Sequence, residues 1–291
     1  MNDTLTVPLD PEINPEIFNC KTSVEDFVPL ECSNPMYRPY GGFACIQCPE
    51  KCSKRSIEDC IAVIPARIGS KRIPEKNIRN FLGKPVIAYS IETAKASNIF
   101  SKVYVSTDSE KIARIARAYG AEVIMRGYDL SNDTVGLVKV MHHAVESTGF
   151  EGIATLIYPV APLLDVGHLL SGINEFVCSK EIDYAFSAYK IDNRCLRGFL
   201  IDPFPKTILG DTYVMTRSQD LPKVYCDAAM FAFGRTSAWL RDTPIFPNRR
   251  SRAILIDKKY VVDVDTEKDW DKMAMQYAVL HGTDDSLEMK K

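Results

Sequence analysis

Residues 67–79, reading RIGSKRIPEKNIR, hold five basic side chains and one acid within thirteen positions. Backbone N–H groups of a turn such as Gly69-Ser70 can cradle phosphate oxygens, while arginine and lysine supply compensating charge. The segment has neither the P-loop pattern nor a GxGxxG fingerprint, so by itself it also reads as a solvated basic loop. Near the other end, Asp263 and Asp265 stand two residues apart. Alternation along a strand would send both carboxylates to one face and toward one cation. Hard carboxylate oxygens suit Mg²⁺, which also takes phosphate oxygens and keeps several waters. Paired acids at a strand end are also commonly solvated, and Thr266 reads as the N-cap of a helix that begins at Glu267. A third group is Cys45, Cys48 and Cys52, with Cys32 thirteen residues upstream. These are ligand types for Zn²⁺ or an iron–sulfur cluster. Without a second CxxC or an HxxxH, the alternative is a loosely packed thiol-bearing extension.

The elements that must position these groups follow from patterning. Residues 1–58 carry seven of the 17 prolines and no sustained apolar period, which predicts an irregular extension. From residue 60 the pattern changes. Ile61 to Pro65 is a continuous apolar run, as expected of a strand buried on both faces, and the basic loop leaves its carboxyl end. Helical spacing follows over 85–94, a strand over 102–106, and a helix over 109–119 with Ser109 as N-cap and Gly120 as its stop. A strand over 122–125, a helix over 135–147, a strand over 153–158 and a helix over 168–177 continue the rhythm. The alternation predicts a doubly wound α/β sheet, and such sheets bind ligands at the carboxyl ends of their strands. That placement favours the phosphate reading of the basic loop. After the segment 183–189 the rhythm breaks, and residues 190–225 read as an excursion from the sheet.

Composition bounds the class. The chain has 291 residues, 36 Lys+Arg against 38 Asp+Glu, and a net charge of −2. It lacks the basic bulk of a general nucleic-acid binder. No run of about 18 apolar residues suggests a membrane span, and the first residues lack a secretory pattern. The expectation is a cytoplasmic protein whose nine cysteines act as thiols or metal ligands before disulfides. Cys60 reads as core, and Trp239 and Trp270 as core anchors. His142, His143 and His168 read as structural.

The string IPARIGSKRIPEKN at 64–77 resembles the signature loop of the cytidylyltransferases that activate nine-carbon sialic-type sugars. The resemblance continues through VSTDSEKIARIARAYGAEV at 105–123, MRGYDLSNDT at 125–134 and PVAPLL at 159–164. It resumes at TRSQDLP (216–222), GRTSAWL (234–240) and VVDVDTEKDW (261–270). It spans about residues 60 to 280, and its later strings look most like the pseudaminic acid branch. The implied fold is a mostly parallel, Rossmann-like nucleotidyltransferase sheet with a β-rich dimerisation excursion. The implied domains are an extension at 1–58, a cytidylyltransferase domain at 59–283 with the excursion at about 190–225, and a charged tail at 284–291.

The reaction implied is transfer of CMP from CTP to the anomeric hydroxyl of a nonulosonic acid. Pyrophosphate leaves, and the CMP-sugar serves glycan or flagellin decoration. By resemblance, Arg67, Ser70, Lys71 and Lys76 are phosphate-loop positions, with Arg67 and Lys76 stabilising the leaving pyrophosphate and Asn77 near the ribose. Arg126 and residues 131–134, including Asp133 and Thr134, fall in the cytosine-pocket region. Asp263 and Asp265 would hold Mg²⁺. Arg217, Ser218, Gln219 and Asp227 are candidates for the sugar acid, since a carboxylate favours a bidentate arginine; Arg217 in a structural ion pair is the alternative. Tyr158 stands where a neuraminate-activating relative has a sugar-contacting glutamine, and otherwise reads as core. Ile68 replaces a glycine of the common loop form, and Cys226 and Met230 replace branch residues His and Gln. The family implies a homodimer whose excursion reaches the neighbouring active site. Competing substrates are N-acetylneuraminate and legionaminate. The alternative from another class is a non-catalytic nucleotide-binding or metal-sensing protein that works through residues 1–58. The joint presence of Arg67, Lys76, Asp263 and Asp265 speaks against it.

Overall fold

The computed structural model describes residues 60–132, 134–178 and 181–282. The segment 1–58 with Cys32, Cys45, Cys48 and Cys52, the site candidate Asp133, and the tail 284–291 lie outside the described residues.

Because CIAVIP is apolar throughout, β1 (Cys60–Pro65) can be buried on both faces. Ala62 and Ile64 enter one core, Ile61 and Val63 the other. A small hairpin of β2 (Asn80–Phe81) and β3 (Lys84–Pro85) follows the basic loop, then α1 (Val86–Ala96), β4 (Lys102–Thr107), α2 (Glu110–Ala118) and β5 (Glu122–Met125). Next come α3 (Leu137–Thr148), β6 (Ile153–Ile157), α4 (Val166–Cys178) and β7 (Tyr184–Ile191). The excursion holds the hairpin β8 (Phe199–Ile201) and β9 (Pro205–Thr207) and the short α5 (Asp211–Met215). The chain returns as β10 (Val224–Arg235), α6 (Thr236–Leu240), β11 (Ser251–Leu255) and α7 (Glu267–His281). The sheet order is β11-β7-β10-β6-β1-β4-β5, and β10 alone runs against its neighbours. The fold is α/β with a mostly parallel sheet, as the alternation of elements predicts.

Local details depart from expectation in two places. Ser109 occupies the N-cap position of α2, but its side chain makes no capping bond; its own amide donates to Thr107 Oγ1 at 3.2 Å instead. The excursion, expected to be β-rich, spends only three residues on each strand of its hairpin. It exposes large apolar side chains, among them Phe199, Leu200, Ile201, Phe204, Ile208 and Leu209.

One core packs α1, α2 and α4 onto the sheet through Ile87, Ile91, Ile112, Leu169 and Phe176. The opposite core packs α3 and α6 through Met141, Val145, Ala238 and Trp239. Trp239 is fully buried, its Nε1 donates to Ala154 O at 2.9 Å, and its ring meets Tyr184 edge-on at 4.6 Å. Both rings lie over Gly234. A Cβ there would sit 2.5 Å from Trp239 Nε1 and 2.6 Å from Tyr184 Cε1. Overpacking of a filled core costs about 1–3 kcal/mol, so Gly234→Ala is expected to lower the unfolding free energy by that much, read as a lower urea midpoint at unchanged slope. An unshifted midpoint would refute this packing argument.

A third core decides where the two chemical segments meet. Ile73 of the basic loop and Val264 between the two acids are buried in the same cluster as Phe81, Tyr89, Trp270 and Met273. Helix α7 carries Trp270 and Met273, and a reciprocal capping box between Thr266 and Asp269 sets where it begins. Packing of α7 thus draws residues 261–265 against residues 67–79, nearly two hundred positions away in sequence.

Candidate active site

Parallel strands deliver their carboxyl ends to one edge of the sheet. β1, β4, β5 and β6 run out there into Arg67, Asp108, Arg126 and Tyr158. Between them opens a cleft of about 650 Å³, within the usual size of a small-molecule site. Its walls include Arg67, Lys71, Arg72, Lys76 and Arg126, with Asp265 as the single acid among the described residues. A chain that is slightly acidic overall is strongly basic at this place, which suits a polyanion.

The basic loop is held in shape at both ends. Asn77, buried on the single turn Lys76–Ile78, donates from Nδ2 to Arg67 O at 2.8 Å. Asp108 Oδ1 accepts from Ile68 N at 3.0 Å, and Ser70 N donates to Ile68 O at 3.0 Å. Ile68 is not among the non-glycine residues of positive φ, so its replacement of glycine leaves the loop without left-handed strain there. A Cβ on Gly69 would meet nothing within 4 Å. Glu75 does adopt a left-handed conformation, with φ 50°, and its carboxylate pairs with Lys111 at 2.7 Å.

Asp263 and Asp265 do not lie on a strand, contrary to the expectation from their spacing. Residues 261–265 form an irregular stretch that leads into α7. The alternation survives nevertheless, because Val264 is drawn into the third core while Asp263 and Asp265 on either side remain accessible. Packing of the middle residue does what a ladder was expected to do. Asp265 Oδ1 pairs with Arg72 Nη2 at 2.6 Å, and Lys76 Nζ donates to Val264 O at 2.7 Å. Half-burial lowers the Lys76 pKa below the ordinary lysine value, opposed by the carboxylates of Asp265 and Asp263. Asp265 and the Val264 carbonyl are therefore in direct contact with the phosphate loop. Among the described residues, no group of three or more His, Cys, Asp and Glu is placed to hold a metal ion. The two carboxylates beside a basic cleft of nucleotide size fit Mg²⁺, which is commonly bound by one or two carboxylates plus substrate phosphates.

Arg126 is buried at the edge. Its Nη1 donates to Ser106 O at 2.8 Å and to Ser106 Oγ at 3.1 Å, and its Nε donates to Ser131 Oγ at 3.1 Å. Burial pulls its pKa down to about 10, with Asp108 opposing and Arg67 assisting. Ser131 O accepts from Arg67 Nη1 at 3.4 Å, which joins the segment after β5 to the phosphate loop. Asn132 lines the cleft, and Thr134 hydrogen-bonds its side chain at 2.6 Å.

The sugar candidates separate. Tyr158 lines the cleft; its carbonyl accepts from Ser90 Oγ at 2.8 Å, and its amide donates to Met230 O at 3.0 Å. Burial raises its phenol pKa, and the carboxylates of Asp227 and Asp263 add to the rise, so the three groups share one neighbourhood. Asp227, accessible but surrounded by protein atoms, is also raised by desolvation. Cys226 is exposed beside Asp227 and opposite Tyr189. Arg217, Ser218 and Gln219 do not line this chain's cleft. Arg217 Nε faces Asp220 at 3.6 Å, and Ser218 Oγ accepts from Arg197 Nη1 at 3.2 Å.

Three residues of the site lie within the quoted motifs without a role assigned to them there: Arg72, Ser106 and Asp108. The available signal was position, since Ser106 and Asp108 sit at the carboxyl end of the buried β4 and Arg72 lies inside the basic run. His142 pairs with Asp242 at 3.0 Å, and His168 packs edge-on against Tyr260, so both serve structure. No described helix is long and apolar enough to cross a membrane.

Comparison with known proteins agrees with this geometry. Residues 61–196 match the model of the Cytidylyltransferase family. The pseudaminic acid cytidylyltransferase of Campylobacter jejuni is 36% identical over 228 residues, covering 76% of this chain and 97% of that protein. The N-acylneuraminate cytidylyltransferase of Escherichia coli is 29% identical over 213 residues, covering 72% of this chain and 50% of that one. Among solved structures, CMP:2-keto-3-deoxy-manno-octonic acid synthetase complexed with CTP aligns with a TM-score of 0.60 at 15% identity, over 77% of this chain and 100% of that one. At that identity the likeness shows the fold alone. The strand order, the basic cleft and the 36% identity lead to one conclusion: this chain belongs to the CMP-nonulosonate cytidylyltransferase family and is a CTP-using nucleotidyltransferase.

Proposed function

We propose that residues 59–283 transfer CMP from CTP to the anomeric hydroxyl of pseudaminic acid, with release of pyrophosphate. The observation that carries the reading is the meeting of the basic loop with the acid pair, through the Arg72–Asp265 and Lys76–Val264 contacts, in a cleft of nucleotide size. Arg67, Ser70, Lys71 and Lys76 bind the triphosphate, and Lys76 and Arg67 stabilise the charge that builds on the leaving pyrophosphate. Asn77 keeps the loop closed near the ribose. Arg126 and Asn132 border the base. Asp263 and Asp265 hold Mg²⁺, which when bound supplies charge neutralisation at the phosphates. Tyr158 and Asp227 face the sugar acid.

Arg217, Ser218 and Gln219 belong to this reading through a second copy of the chain. The apolar side chains exposed on the excursion, including Phe199, Ile201 and Phe204, offer a surface for such a copy. The same excursion would carry Arg217 to the neighbouring cleft. Light scattering of the active protein is expected to give a dimer; full activity in a monomer would count against this arrangement.

The test is pyrophosphate release from CTP and Mg²⁺ with a panel of nonulosonic acids, and mass spectrometry of the product. Release with pseudaminic acid, well above that with N-acetylneuraminate or legionaminate, is the expected result. Preference for another member moves the substrate assignment. No release with any member, alongside tight metal binding by residues 1–58, would overturn the enzyme reading in favour of a sensor.

A further inference from the structure

We propose that Ser187, on the strand β7, is a positioning residue for the sugar-acid end of the cleft, acting through a large bulge in β10. The inference rests on the reading above, in which Asp227 faces the sugar acid.

The register between the two strands carries the argument. Ala188 pairs with Asp227, and the next pair is Phe186 with Ala232. One residue of β7, Ser187, therefore faces four residues of β10, namely Ala228, Ala229, Met230 and Phe231. An insertion of this size bends a strand and takes amides out of the ladder. It happens in the interior, where Ser187 is fully buried and Ala228, Met230 and Phe231 are buried around it. Buried amides without acceptors are costly. Ser187 Oγ accepts from Met230 N at 3.1 Å and from Phe231 N at 3.2 Å. A hydroxyl oxygen has two acceptor sites, so a single side chain supplies both amides with an acceptor.

What the bulge holds is functional. Ala229 takes a left-handed conformation with φ 49°, a backbone state that persists only when its surroundings impose it. Its amide donates to Asp227 Oδ1 at 2.9 Å, which fixes that carboxylate in the neighbourhood of Tyr158. Met230 O accepts from Tyr158 N at 3.0 Å, which fixes the chain where Tyr158 enters the cleft. Ala228, Ala229 and Met230 also line a small, partly open pocket of about 10 Å³ with Tyr260 and Val262, the latter next to Asp263. The bulge is thus the common support of Asp227 and of the chain at Tyr158. A regular pairing of β7 with β10 would carry the Asp227 end of the strand to a different place along the edge.

The test has two readouts, one of which does not depend on the sugar. Amide exchange followed by mass spectrometry should accelerate at least about tenfold over Ala228–Phe231 in Ser187→Ala, with the rest of the sheet unchanged. In turnover, Ser187→Ala is expected to raise the KM for the sugar acid about tenfold, because small displacements of a binding group are costly. The KM for CTP should stay within twofold. In an Asp227→Ala background the same change should add less to the sugar KM than it does in the wild type, the remainder acting through Tyr158. Ser187→Cys, of similar size and with a weak acceptor, is expected to fall between wild type and alanine, and it carries the same measurements if the alanine variant does not fold. Unaltered exchange over the bulge overturns the proposal. So does a proportional loss for CTP and sugar, which would make Ser187 structural only. If the wild-type chain turns over no sugar acid while Ser187→Ala still shows the exchange change, the proposed function fails and overturns the positioning role with it, leaving Ser187 as the support of the bulge.

Discussion

Asp265→Asn is expected to lower kcat by roughly 10²–10⁴, from a metal contribution of several kcal/mol at about 1.4 kcal/mol per decade. The chain should still fold. Asp265 makes its side-chain ion pair with Arg72, whose side chain is 69% exposed, and exposed pairs contribute about 0–1 kcal/mol. Its backbone amide, which donates to Asp269 Oδ2 at 3.2 Å, is untouched by the substitution. Activity and stability are therefore separable at this position. Steady-state rates, thermal denaturation and titration with Mn²⁺ as a spectroscopic probe would be measured together. Weak metal binding, lost turnover and an unchanged melting midpoint are the expected set. Retained turnover would refute the assignment of Asp265 to the cation.

The second large effect is expected at Lys76. It sits on the turn that closes the basic loop and reaches across to the carbonyl between the two acids. In Lys76→Met the stem remains and the charge goes, so the loop keeps much of its packing. Loss of one preorganised donor at a site of developing charge costs about 10²–10³ in kcat. The KM for CTP should rise far less, since Arg67, Lys71 and Arg72 still face the same cleft. Half-burial already disfavours the charge at Lys76, so its removal is not expected to unfold the chain. A change confined to the KM for CTP would show that Lys76 only binds the ground state.

The two variants probe one junction, and its two halves were not equally readable. The basic loop could be placed because the run CIAVIP has no polar face and must be a strand covered on both sides. A charged loop leaving such a strand lies at the edge where open α/β sheets bind ligands. The acid pair was harder. Its spacing suggested a strand, whereas residues 261–265 are irregular, and only the burial of Val264 keeps both carboxylates on one side. Local periodicity reports which side a residue faces but does not say which element enforces it.

Other positions show the same division. Helix α2 was legible from Ile112, Ala116 and Gly120, yet its N-cap side chain makes no capping bond, which the residue type alone does not foretell. Arg217, Ser218 and Gln219 were singled out by type, but the tertiary structure keeps them away from this chain's cleft. The bulge opposite Ser187 has no sequence signature, since Ala228, Ala229 and Met230 read as ordinary strand residues.

By itself, the sequence determined the α/β class, the position of the phosphate loop after the first strand, and the residue types on which the chemistry rests. These follow from short-range patterning, and short-range patterning is local. Only the tertiary structure decided that Ile73 and Val264 share a core, that Lys76 and Arg72 meet the acid segment, and that Ser187 accepts from the amides of the bulge at Met230 and Phe231. Contacts between residues so far apart in the chain depend on how α7 and β10 pack, and no period along the chain encodes that.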